Sequence, residues 1–194
     1  MNKDKLKRKF ITRQITAYKL FETEISILKK LDHPNIVQVF EIINDPEYSK
    51  AHIVMEYVSE GSLYNLIKKD KALPLEKCWK YFRNLVEGIE YCHEVAAVIH
   101  RDIKPENLLI TKDDHVKLVD FGISYMMSNG SDEDKLTLGS SYYLAPEICK
   151  GELYKGKQID VWAAGITLYQ MVTNKLPFED SSIPGIYRVI INNE

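Results

Sequence analysis

No glycine occurs before Gly61, although the chain has nine. A glycine-rich turn that closes backbone amides over a phosphate is therefore excluded from that opening stretch. Cysteine is scarce as well: Cys78, Cys92 and Cys149 are odd in number and have no metal-binding spacing. They exclude a disulfide framework and read as reduced thiols of a cytoplasmic protein. Long apolar runs are missing; the longest, Val161 to Val172, is too short to span a bilayer and contains Gln170. Charge of one sign is missing too, since the net charge is −2, which predicts no nucleic-acid partner on electrostatic grounds. Only the start is lopsided, with Lys3, Lys5, Lys7, Arg8, Lys9, Arg13 and Lys19 against Asp4. It has no serine, unlike a transit peptide, and no continuous apolar stretch, unlike a secretory signal. It reads as a solvated basic connection.

What is present suits one domain: 194 residues, 45% of them hydrophobic. Phe21, Ile25 and Leu28 recur at helical spacing, which predicts an amphipathic helix over about 16–31. It should stop near His33-Pro34, because proline disfavours the helical region for the residue before it. Ile36 to Ile43 and His52 to Tyr57 read as strands around a polar turn at 44–50. Leu75, Cys78, Phe82, Leu85, Ile89 and Cys92 mark a long helix ending near His93. Asn107 to Ile110 and His115 to Val119 flank a short turn and read as a hairpin. Residues 123–144 carry no period and read as a long loop, either functional or disordered. Buried helix is expected at 158–173, and another within Ser181 to Asn192.

The most informative run is His100-Arg101-Asp102-Ile103-Lys104-Pro105-Glu106-Asn107, with Asp120-Phe121-Gly122 thirteen residues after Asn107 and Ala145-Pro146-Glu147 beyond. An acid, a lysine, an amide and a second acid stand at the spacing phosphoryl transfer needs. Asp102 can accept a proton from an attacking hydroxyl, while Asn107 and Asp120 supply hard oxygen donors for magnesium on a nucleotide's phosphates. Three such signatures in one order are specific.

These motifs resemble those of the eukaryotic Ser/Thr protein kinases. Within them, Ile27 to Val37 is most similar to the calcium/calmodulin-dependent protein kinase kinases. The resemblance implies an α+β, two-lobe fold: an incomplete, small β-rich N-lobe over 1–57 and a larger helical C-lobe over 58–194, truncated after its central helix. It implies a signalling enzyme that phosphorylates Ser/Thr hydroxyls of protein substrates, a downstream kinase among them, with ATP and Mg2+ as cofactors and calmodulin-type regulation through a segment outside this chain.

By the same resemblance Asp102 is the base, Lys104 neutralises the transferred phosphate, and Ser140 bonds both. Asn107 and Asp120 hold the metal. Glu24 is the helix carboxylate that pairs with a strand lysine; Lys3 and Lys5 are near it in sequence, without an apolar strand to aim them. Met55-Glu56-Tyr57-Val58 is the hinge: backbone groups of Glu56 and Val58 bond adenine, Met55 borders the pocket and Leu109 forms its floor. Leu28, Val39, His100 and Phe121 stack in an internal column. Asp160 anchors the catalytic loop. Arg101 can pair with a phosphate on the activation segment, for which Thr137 is the acceptor, one residue too close to Ser140 for the common register; Asp132-Glu133-Asp134 is the alternative source of negative charge. The missing glycine loop and strand lysine leave a second reading open, a catalytically inactive kinase-like module acting through C-lobe contacts.

Overall fold

The computed structural model describes residues 21–44, 52–70, 72–128 and 130–193. Helix α1 covers 21–28 of these; the first residues of the expected helix, most of the turn at 44–50, and Lys3 and Lys5 lie outside the described residues. The buried face of α1 and the turn after it is Ile27, Leu28 and Leu31, with Phe21 and Ile25 only half-buried. The stripe is thus rotated from the one the spacing predicts.

Strands β1 (Val39–Ile43) and β2 (His52–Met55) pair antiparallel, with a bulge between Val39 and Glu41. Both are shorter than expected. The start of the first run is drawn to another sheet: Ile36 bridges Leu118, and Val37 donates to the Leu118 carbonyl at 3.0 Å. The second ends at Met55, and Glu56 keeps one ladder bond, donating to the Gln38 carbonyl at 2.9 Å.

Helices dominate from there. α2 (Leu63–Asp70) precedes α3 (Leu75–Glu90), which buries Cys78, Tyr81, Leu85 and Ile89. α3 runs into a π-helical turn, Tyr91–Val95, and the chain reverses at Ala97 with φ +56°. Phe82, expected in the stripe, is half-buried at its edge. Short antiparallel pairs follow: β3 (Val98–Ile99) with β6 (Tyr125–Met126), β4 (Leu108–Ile110) with β5 (Val116–Leu118), and β7 (Glu133–Asp134) with β8 (Tyr154–Lys155). α4 (Pro146–Lys150) ends on Gly151 at φ +72°. α5 (Gly156–Thr173) buries Ile159, Asp160, Ala163, Ala164, Ile166, Thr167 and Met171. α6 (Ile183–Asn192) is capped by Ser182, whose hydroxyl accepts from the Gly185 amide at 3.1 Å.

The α+β expectation is met, with a small strand-bearing part followed by a larger helical part. One core cluster joins Ile27 and Leu28 of α1 to Tyr81 and Leu85 of α3, Leu108 and Leu118 of the β4–β5 hairpin, and Ala163 and Met171 of α5. The core thereby fixes the hairpin and the loop before it relative to α5. Among the described residues no helix is long and apolar enough to cross a membrane.

Candidate functional site

The loop between β3 and β4 carries the His100–Asn107 run, and α5 holds it from below. Asp160, 1% exposed, accepts from the backbone amides of His100 at 2.9 Å and Arg101 at 2.8 Å, and from His93 Nε2 at 2.8 Å. A buried carboxylate needs such donors to offset its lost hydration. Its grip stabilises Arg101 at φ +68°, a left-handed conformation unusual for a side chain of that size. The His100 ring is fully buried and sits edge-on to Phe121 at 4.8 Å. Burial pushes its pKa down, against the opposing pull of Asp160 and the Val119 carbonyl.

Asp102, Lys104, Asn107 and Ser140 converge. Asp102 Oδ2 accepts from Lys104 Nζ at 2.7 Å and Asn107 Nδ2 at 3.0 Å; Oδ1 accepts from Ser140 Oγ at 2.8 Å and its amide at 3.2 Å. Lys104 also donates to Ser140 Oγ at 2.7 Å. Burial alone would raise the Asp102 pKa, but the bonds from Lys104 and Ser140, the lysine charge and Asn107 outweigh it and leave the carboxyl below its ordinary value. Asp102 is therefore an ionised, oriented acceptor at neutral pH. Asn107 also donates to the Asp102 carbonyl at 2.8 Å, which leaves its amide oxygen for another ligand.

Asp120 is exposed at φ +65°, beyond β5, and its Oδ1 accepts from the Gly122 amide at 3.2 Å. Glu24 on α1 faces it. A Cβ added to Gly122 would lie 3.2 Å from Asp120 Oδ1 and 4.0 Å from Glu24 Oε1, so this glycine sits against both acids. Burial and the Asp120 charge raise the Glu24 pKa. A cation beside Asp120 would offset the charge that disfavours ionised Glu24, and the carboxylate oxygens suit a hard ion such as magnesium. Among the described residues no group of three or more His, Cys, Asp or Glu is able to hold a metal alone. A metal here would draw part of its shell from a ligand.

At the expected hinge some groups already have partners. The Glu56 amide is already bonded to Gln38, which leaves only its carbonyl for adenine. Its side chain accepts from the Gln38 amide at 2.7 Å and from Lys117 Nζ at 2.6 Å, tying the segment to β5. Met55 is 47% exposed, not a packed strand residue. Val58 and Leu109 are half-buried, and Leu109 bridges Ser62 just after the hinge. A cavity of about 740 Å³ lined by Pro34, Glu56, Asn84, Thr111 and Lys117 includes none of Asp102, Asn107 and Asp120. Leu28 and Phe121 share the core, with Val39 packed on it and His100 against Phe121, as the expected column requires.

The segment from 123 to 144 is ordered by contacts with this loop. Arg101 Nη1 bonds Asp134 Oδ2 at 2.6 Å, and its Nε donates to the Ile123 carbonyl at 2.6 Å. Gly139, at φ +115°, approaches so closely that a Cβ would lie 2.7 Å from the Arg101 carbonyl. Thr137 between them is exposed. Sequence reasoning missed Gly139, the Lys117 tie and the stacking of Arg101 over Tyr125 at 4.6 Å; none belongs to a motif or a period. It also left His93 without a role.

An acceptor carboxylate held this way stands on an α+β fold, and similarity to known proteins tells which family carries it. The sequence model of the protein kinase domain matches residues 3–193, and the chain belongs to that family. It is 38% identical over 190 residues to SNF1-like protein kinase ssp2 of Schizosaccharomyces pombe, covering 96% of this chain and 32% of that protein. It is 40% identical over 167 residues to serine/threonine protein kinase OSK3 of Oryza sativa, covering 86% of this chain and 32% of that one. The same identity over 167 residues relates it to CBL-interacting serine/threonine-protein kinase 24 of Arabidopsis thaliana, covering 86% and 37%. The chain thus spans about a third of the length of these curated relatives.

Proposed function

We propose that this chain is the catalytic domain of a protein serine/threonine kinase that transfers the terminal phosphoryl group of ATP to hydroxyls of protein substrates. The observation that carries the reading is the network on Asp102. Lys104 and Ser140 hold the carboxylate ionised and aimed, so that it orients the attacking hydroxyl and takes up its proton. Phosphoryl transfer has a loose transition state, in which positioning and charge neutralisation outweigh base strength. Lys104, already at the Asp102 carboxylate, is placed to neutralise the moving phosphate. The Asn107 amide oxygen and Asp120 would hold magnesium, which when bound neutralises phosphate charge. The Glu56 carbonyl and Val58 backbone would bind adenine, over Leu109 and beside Met55. Glu24 would pair with a lysine cation, which would reverse the rise in its pKa.

The finer placement among calcium/calmodulin-dependent protein kinase kinases rests on Ile27 to Val37 alone, and the relatives above bear other names. Phosphorylation of a downstream kinase, calmodulin-type regulation through sequence outside this chain, and a cytoplasmic location belong to the same proposal; the last rests on the free cysteines. The test is transfer of labelled phosphate from ATP to a Ser/Thr peptide library by the full-length protein. Transfer that disappears in Asp102→Asn supports the reading. Transfer by the variant at the native rate, or none by the native protein, overturns it.

A further inference from the structure

The activation segment is fastened to the catalytic loop by a carboxylate from within the chain. The Arg101 side chain is 5% exposed and the Asp134 side chain 19%. A guanidinium this buried requires an anion, since leaving it unpaired would be strongly destabilising. Asp134 supplies one through its Oδ2. Its other oxygen accepts from the amides of Lys135 at 2.6 Å and Leu136 at 3.1 Å, which fixes the carboxylate's direction.

The neighbours of Asp134 are pinned as well. Asp134 pairs with Tyr154 and Glu133 with Lys155 across β7–β8. The Asp132 carbonyl accepts from Tyr125 Oη at 2.6 Å and the Gly156 amide at 2.8 Å, and its Oδ2 accepts from the Lys157 amide at 3.1 Å. Gly156 and Lys157 open α5, the helix whose Asp160 grips the Arg101 amide. Arg101, Asp134, Asp132 and Asp160 thus close a ring through α5. Further on, Ser140 is bonded to Asp102 and Lys104. The exposed Thr137 lies between these two anchored points, and the guanidinium that would receive its phosphate is already paired.

A phosphate on an activation segment acts by giving a cationic pocket an anion that orders the segment. We propose that Asp134 performs this role permanently: it is a positioning residue for phosphoryl transfer, and the domain is competent without phosphorylation of Thr137. The proposal rests on the kinase reading above and adds its mode of regulation.

The experiment compares full-length protein before and after phosphatase treatment, its Thr137→Ala, Asp134→Asn, Asp134→Glu and Arg101→Gln variants, and the double variant Arg101→Gln with Asp134→Asn. Native protein before treatment, the treated protein and Thr137→Ala should agree in kcat within about twofold. Asp134→Asn should lose roughly 10- to 100-fold in kcat, as misplaced positioning groups do, while KM for ATP holds. Asp134→Glu should recover part of the loss. The double variant should be no worse than Arg101→Gln alone, because the two side chains act as a pair. Amide exchange across 133–140 should speed up in Asp134→Asn, with the rest of the domain unchanged. Native activity in Asp134→Asn, or a treated native protein that recovers activity only when Thr137 is phosphorylated, would overturn the proposal and leave the kinase reading intact. Failure of every form to transfer phosphate would remove the kinase reading, and this proposal with it.

Discussion

Asp102 owes its character to its neighbours. Burial works against its charge, and Lys104, Ser140 and Asn107 more than restore it. Asp102→Asn preserves volume and removes the charge and the proton acceptor. Its kcat should fall by about 100- to 10,000-fold, the usual worth of a positioned base, with KM for ATP nearly unchanged; a loss confined to KM would contradict the assignment. Since the folded Asp102 pKa is depressed, the unfolded chain binds this proton first as acid is added. The stabilisation is therefore complete above the ordinary value of about 3.9 and is lost as pH drops through the lower folded value. No limb of the kcat profile across roughly pH 5–8 should belong to it. His100 and His33 are also lowered, chiefly by burial. Unfolded histidine takes up a proton near about pH 6.5, and these folded ones do so lower, so stability declines below that point. Urea midpoints measured on either side of it should show the fall, and equal midpoints would contradict it.

At the level of elements, the site depends on how the activation segment and α5 clasp the catalytic loop. Gly139→Ala should cost about 1–3 kcal/mol through backbone strain and contact with the Arg101 carbonyl, and should lower kcat by withdrawing Ser140 from Asp102. Gly130→Ala is the control: its φ is +75° and a Cβ there meets nothing within 4 Å, so the cost is the conformational one of about 1 kcal/mol. Equal melting of the two variants would show that the close approach carries no energy. Asp160→Ala should cost roughly 3–5 kcal/mol, because it leaves buried amide donors and His93 without their shared acceptor. The same elements mark what a sequence can disclose. The runs that hold Asp102, Asn107 and Asp120 were legible because the proposed phosphoryl transfer demands fixed spacing, and α3 and α5 because apolar residues recur along them. The pairs β3–β6 and β7–β8 are two residues per strand, too short to establish a period. The rotation of the α1 stripe was decided by tertiary packing in the shared core, and the loss of Ile36 to a neighbouring sheet by its bridge to Leu118.

Across the whole molecule the site draws on Glu24 of α1, the loop after β3, the turn after β5 and the anchor on α5. It exists only when these parts are folded together, so a ligand that uses it must stabilise the fold by mass action. The Glu24–Asp120 pair adds a direction to that effect. Burial and the Asp120 charge disfavour ionisation of Glu24, and a cation bound at Asp120 would relieve it. Magnesium with ATP should therefore raise the melting temperature more than ATP with a chelator. At a hundredfold excess over Kd the stabilisation is about 2.7 kcal/mol, or roughly 5–10 °C for a domain of this size. Asp120→Asn is the discriminating variant. Asparagine tolerates the left-handed conformation that residue 120 adopts and keeps an oxygen for the Gly122 amide, yet loses the charge. Its ligand-free melting temperature should be no lower than the native one, since the repulsion on Glu24 is relieved, while the magnesium-dependent part of the shift should disappear. If the variant kept the full increment, Asp120 would not be a metal ligand, and the cation would have to be held by other groups.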